Sequence, residues 1–197
     1  MNSILKLLLV MVFTITSAFA LKKDEIKSQM TAKIDNVLLI LEKKELTTAQ
    51  KGEEIIKIID DVFDYGLMAR ISLGKETWNS LSEEKQKEFT EVFEKKLKKS
   101  YVEKLELYND QKVKIVDLLP YKGSRLQLET ELVGKDEVYK INYNFYNKSK
   151  DDNQWLIYDV DLVGVSIIQT YRQQFSGLLK EKTFDEMLVL LKDSNKK

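Results

Sequence analysis

The two side chains that most often carry out acid/base and nucleophilic chemistry, histidine and cysteine, do not occur in this chain of 197 residues. Their absence removes the Ser-His-Asp and Cys-His nucleophiles, the imidazole general base, the disulfide framework and the usual zinc sites. Carboxylates remain, with tyrosine and lysine behind them. Asp60, Asp61 and Asp64 crowd the end of one helical stretch, and Asp159 and Asp161 share one face of a strand. Either group is a candidate acid/base couple or cation site. The competing reading, a solvated surface or a local cap, is favoured because neither group has the spacing of a known cation loop. Asp151-Asp152-Asn153 sits in a polar turn that turn chemistry explains, and no glycine-rich phosphate cradle exists. The 32 basic and 32 acidic residues balance, which argues against nucleic acid as a partner, since phosphate backbones demand a basic surplus.

The elements that position these groups follow from periodicity. Ile26, Met30, Ile34, Val37, Leu38 and Leu41 recur at helical spacing. Thr47 and Gln50 form a capping box ahead of Ile55, Ile56, Ile59, Val62 and Phe63. A short helix over Phe63–Arg70 is expected to end near Gly74. Ser80 with Glu83 is expected to open a longer one bearing Phe89, Phe93, Leu97, Tyr101, Leu105 and Tyr108. The pattern then switches to period two. Leu126, Leu128, Thr130 and Leu132 alternate with polar residues, as do Tyr139, Ile141, Tyr143 and Phe145. Val113–Leu119 and Trp155–Val163 read as two more strands. Ser166 caps a helix lined by Ile167, Ile168, Tyr171, Phe175, Leu178 and Leu179, and Thr183 with Glu186 caps a last one. Helices, four strands, then helices make an α+β fold, a curved antiparallel sheet of about four strands with helices packed on one face.

Residues 1–20 read as a signal peptide: Lys6, an apolar run from Leu7 to Ile15, and an Ala-x-Ala close at Ala18-Phe19-Ala20. The run is too short to cross ~30 Å of hydrocarbon, and no cysteine follows it to carry a lipid anchor. Residues 21–197 are expected to form a single domain, secreted in soluble form, with no further segment apolar enough to span a bilayer. The apolar supply of that domain has two readings that share one binary pattern: a filled core, favoured by periodicity alone, or a hollow one. Several inward tyrosines hint at a wall with wet edges, because a buried phenol wants a partner.

Two stretches together resemble the MlaC family, the periplasmic phospholipid-binding component of a lipid-transport ABC system, also called the toluene-tolerance auxiliary family. The first is Phe63-Asp64-Tyr65-Gly66-Leu67-Met68-Ala69-Arg70 with Leu73-Gly74, Trp78 and the helix of Phe89, Phe93 and Tyr101. The second is Trp155-Leu156-Ile157-Tyr158-Asp159-Val160, Gly164-Val165-Ser166 and Tyr171-Arg172-Gln173-Gln174-Phe175. The lysine-rich ends and the turn from Asn147 to Asn153 are not part of that pattern.

The resemblance implies a carrier, not an enzyme, with no cofactor beyond phospholipid as cargo. It implies partners in an inner-membrane ABC transporter with an MCE-domain ring and an outer-membrane lipoprotein–porin complex, and a role in outer-membrane lipid asymmetry. The expected lipid-binding wall, inferred from the elements, is Leu67, Met68 and Ile71 from the short helix and Tyr101 from the long one. Leu126, Leu128, Ile141, Tyr143 and Phe145 would form the sheet wall, with Val165, Ile168, Tyr171 and Phe175 closing it. Trp78 and Trp155 are expected to be scaffold. Arg70 and Arg172 are expected to pair with Asp64 or Asp159; the alternative is contact with a phosphate near the mouth. The rival function is a ketosteroid-isomerase-like catalyst using Asp159 or Asp161 near Tyr143, and a third is a carrier of lipoprotein acyl chains.

Overall fold

The computed structural model describes residues 21–105, 108, 110–149, 151 and 153–195, so the expected signal peptide lies outside the described residues. Its helices are α1 (Ile26–Glu42), α2 (Thr48–Ile59), α3 (Tyr65–Leu73), α4 (Lys75–Ser80), α5 (Glu83–Lys104), α6 (Ile167–Leu178) and α7 (Phe184–Ser194). Between α5 and α6 run β1 (Lys112–Tyr121), β2 (Arg125–Val133), β3 (Val138–Asn147), β4 (Trp155–Leu162) and the two-residue β5 (Val165–Ser166). They form one antiparallel sheet in chain order. The expected four strands are present. The fifth is too short to leave a periodic trace.

Local chemistry accounts for most boundaries. Thr47 and Thr183 each accept from the backbone N–H three residues on, while Gln50 and Glu186 reach back to the cap, completing two capping boxes. Ser166 caps α6 through the Gln169 N–H. Gly74 ends α3 at φ 89°, a left-handed conformation glycine enters without a Cβ penalty. One cap is corrected. Ser82, not Ser80, accepts from Lys85 N–H and starts α5, while the Ser80 hydroxyl donates to the Thr77 carbonyl at the end of α4.

Two cores result. In the first, α3, α5, α6 and α7 enclose Met68, Phe89, Phe93, Leu97, Ile168, Phe175 and Met187, with Tyr171 and Trp78 packed against them. Its rings interlock: Phe89 and Phe93 each meet Phe175 edge-on at centroid distances of 5.6 and 6.2 Å, and Tyr171 meets Phe93 at 5.2 Å. The second lies on one face of the sheet, where Leu126, Leu128, Phe145, Ile157 and Val160 meet Ile26 and Met30 of α1, together with Leu21, Val62 and Trp155. Phe63 and Ile167 touch both cores. A bulge in β4 opposite Asn144 and Phe145 shifts the pairing, so that Asn144 faces Asp159 while Phe145 faces Ile157.

Candidate functional site

Beyond Met30, the second core stops being filled. A cavity of about 430 Å³ lies between α1, the sheet, α2 and the last turns of α5. Met30, Ile34, Val37, Leu38 and Leu41, one stripe of α1, make its roof. The sheet contributes three rungs that are neighbours in register: Val113 beside Leu132, Ile141 beside Leu162, and Tyr143 beside Val160. Ile55 and Ile59 of α2, then Val62 and Phe63, form one side, and Tyr101, Lys104 and Leu105 the other. A smaller pocket between α2 and α5 adjoins it and shares Ile55, Ile59, Phe63, Tyr101 and Leu105. There Gly52 lets the two helices meet, since a Cβ on it would stand 2.6 Å from Val102 Cγ1.

The lining is almost wholly apolar. Its charged groups are Lys33 and Lys104, and no carboxylate is among its described residues. Lys33 is already satisfied, donating to the Ile58 carbonyl at 2.6 Å and to Asp61 at 2.7 Å. The Tyr101 hydroxyl is buried with no hydrogen-bond partner. Burial, with Tyr171, Tyr143 and Asp159 nearby, drives its ionisation far above the ordinary phenol range. Burial alone pushes Tyr143 up to about 12. Both phenols are therefore neutral donors at physiological pH. The arrangement can sequester an apolar chain.

Of the expected wall residues, Tyr101, Ile141 and Tyr143 line this cavity. Leu126, Leu128 and Phe145 occupy the same sheet face but lie in its packed end. Met68, Ile168, Phe175 and Tyr171 belong to the helical core. Leu67 and Ile71 line a separate polar cleft, and Val165, in β5, is 59% exposed. The reason is the partner of each helix. Helices α3 and α6 pack on each other, which leaves the open sheet face to α1. The α1 stripe was legible as a periodic pattern, but nothing in the periodicity says which face it covers or that it leaves a void.

The carboxylates act locally. Asp159 accepts from the Ser166 hydroxyl at 2.6 Å and from the N–H groups of Val160 and Ile168, tying β4 to the start of α6. Burial raises its pKa above the usual carboxylate value despite those bonds. Asp161 accepts from Asn144 at 3.1 Å. Asp64 caps α3 through Leu67 N–H and accepts from Tyr146 and Lys148, and Asp60 and Asp61 pair with Lys98 and Lys33. Arg70 and Arg172 pair with neither Asp64 nor Asp159, and they stand away from this cavity, so the expected ion pairs are corrected. Among the described residues no group of three acidic side chains could hold a metal ion, and no helix is long and apolar enough to cross a membrane.

Comparison with known proteins agrees with this architecture. No curated protein matches the sequence. A solved phospholipid-binding protein from Ralstonia solanacearum, in complex with a phospholipid, shares the fold with a TM-score of 0.72 at 20% identity, over 85% of this chain and 95% of that one. The family model described as MlaC protein matches residues 31–193. The chain belongs to the MlaC family.

Proposed function

We propose that this protein is a periplasmic phospholipid carrier that holds acyl chain in the cavity under α1. It would pass lipid between an inner-membrane Mla-type ABC transporter and an outer-membrane lipoprotein–porin complex, and so serve outer-membrane lipid asymmetry. The observation that carries the reading is the cavity itself, almost wholly apolar and free of carboxylates among its described residues. Membership of the MlaC family and the phospholipid held by the Ralstonia protein support it. With a methylene taken as close to a water molecule in size, roughly 30 Å³, the void accepts about fourteen such groups, one acyl chain. At ~0.8 kcal/mol per methylene removed from water, that chain gains roughly 11 kcal/mol. A second chain would need α2 to move away from α5 and open the adjoining pocket. An acid/base catalyst would need a carboxylate in the void, and Asp159 and Asp161 are both engaged elsewhere.

Native mass spectrometry of protein purified from its own compartment tests the reading. A mass increment equal to a phospholipid, confirmed by extraction, is the expected result. Protein that carries no lipid and takes none from phospholipid vesicles overturns it.

A further inference from the structure

The sequence holds three arginines, Arg70, Arg125 and Arg172, among its 32 basic residues. All three line one cleft of about 460 Å³, together with Lys75. They arrive from separate elements: Arg70 from the last turn of α3, Arg125 from the first residue of β2, Arg172 from α6, and Lys75 from the start of α4. No carboxylate is among the described residues that line the cleft. The ion pairs found among the described residues all use lysine, and none uses an arginine. Asp64 sits in an adjoining cleft that shares Leu67, Arg70 and Tyr146, and it is already held by Tyr146, Lys148 and the Leu67 N–H.

The forks are propped in place. Arg125 lies 4.6 Å over the Tyr158 ring and donates to the Tyr158 hydroxyl at 3.2 Å. Arg172 lies over Gly74, where a Cβ would stand 3.9 Å from Nη2. Four like charges brought together without a counter-charge repel one another, a cost that an anion removes. Guanidinium, planar and able to bond two oxygens at once, is the cation that suits phosphate.

We propose that this cleft is an oxyanion site that binds a phosphate group between Arg70, Arg125 and Arg172. It shares no residue with the apolar cavity and lies toward the opposite end of the sheet. Arg125 begins β2 and the cavity residue Leu132 nearly ends it, about 23 Å away along the strand. The site therefore stands whether or not the cavity holds lipid. The phosphate is that of a soluble small molecule or of a headgroup at a bilayer surface.

Nitrogen-labelled protein has three arginine Nε–H signals to follow. Inorganic phosphate is titrated against chloride at matched ionic strength, and phosphatidylglycerol vesicles are tested by flotation against phosphatidylcholine vesicles. Joint, saturable movement of the three signals with inorganic phosphate is expected for a soluble source. Selective flotation with phosphatidylglycerol but no response to free phosphate assigns the headgroup. Arg172→Gln should weaken either binding about tenfold, and Arg172→Lys, which keeps the charge but loses the fork, should weaken it nearly as much. The urea-unfolding midpoint stays unchanged in both variants and reports that they fold. Signals that move no more with phosphate than with chloride, together with equal flotation on the two vesicles, overturn the proposal. So does an Arg172→Lys variant that binds as well as the parent.

Discussion

The two large cores are built from residues of the same polarity and end differently. Between α3, α5, α6 and α7, aromatic rings reach across from facing helices and pack against one another; Phe89, Phe93 and Phe175 are 1% exposed or less. Under α1, branched and aliphatic side chains stop short of one another and leave about 430 Å³. Reach makes the difference. A helix lying over a curved sheet needs long side chains at its middle to touch the strands, and α1 offers Ile34, Val37 and Leu38 there. Hollowness is thus a property of side-chain length at a few positions, not of hydrophobic pattern.

Substitutions can break that contrast. Phe93→Ala should remove about 3–5 kcal/mol of stability in urea unfolding, with lipid recovered per folded molecule unchanged. Asp64→Ala, at the joint between the helical block and β3, should cost about 2 kcal/mol by losing a helix cap and stranding the Tyr146 hydroxyl. Burial opposes ionisation of Asp64, but the bonds from Tyr146, Leu67 N–H and Lys148 hold its pKa below the usual 3.8. The folded value is the lower one, so its contribution is complete above pH 3.8 and drains away as pH falls through the folded value. The gap between parent and variant in urea midpoint should therefore be wide at pH 7 and narrow in stronger acid. Ile34→Ala, a cut of similar kind to Phe93→Ala but into a wall that already borders empty space, should cost only about 1 kcal/mol. A cost as large as that of Phe93→Ala would mean the void is closed in solution. Val37→Phe should shift stability by less than about 1 kcal/mol, where the same enlargement in a packed core costs 1–3, and should reduce lipid recovery severalfold.

Much of this was readable from the chain. The alternation of Leu126, Leu128, Thr130 and Leu132 against polar neighbours marked β2, and the Thr47–Gln50 and Thr183–Glu186 pairs marked two helix starts, because these signals are local. The wall was less readable. Leu128 and Ile141 alternate identically, yet one is buried in the packed end and the other borders the void. The partner helix decides which, and that contact spans about a hundred residues of chain. Arg70 and Arg172 are the two cations inside the motifs that carry the resemblance, and an ion pair with Asp64 or Asp159 is the expectation for either. Only the packing of α3 on α6 shows that those acids are occupied and that the arginines share a cleft with Arg125.

The thin support beneath the middle of α1 couples loading to survival. Whatever occupies the space acts as the missing interior, and it binds the native chain and not the unfolded one. By mass action, an occupant at a hundred times its dissociation constant adds about 2.7 kcal/mol, enough to cut the unfolded population about a hundredfold. Thermal midpoint and resistance to proteases should then both report how full a preparation is, with α1 the first element to loosen when it empties.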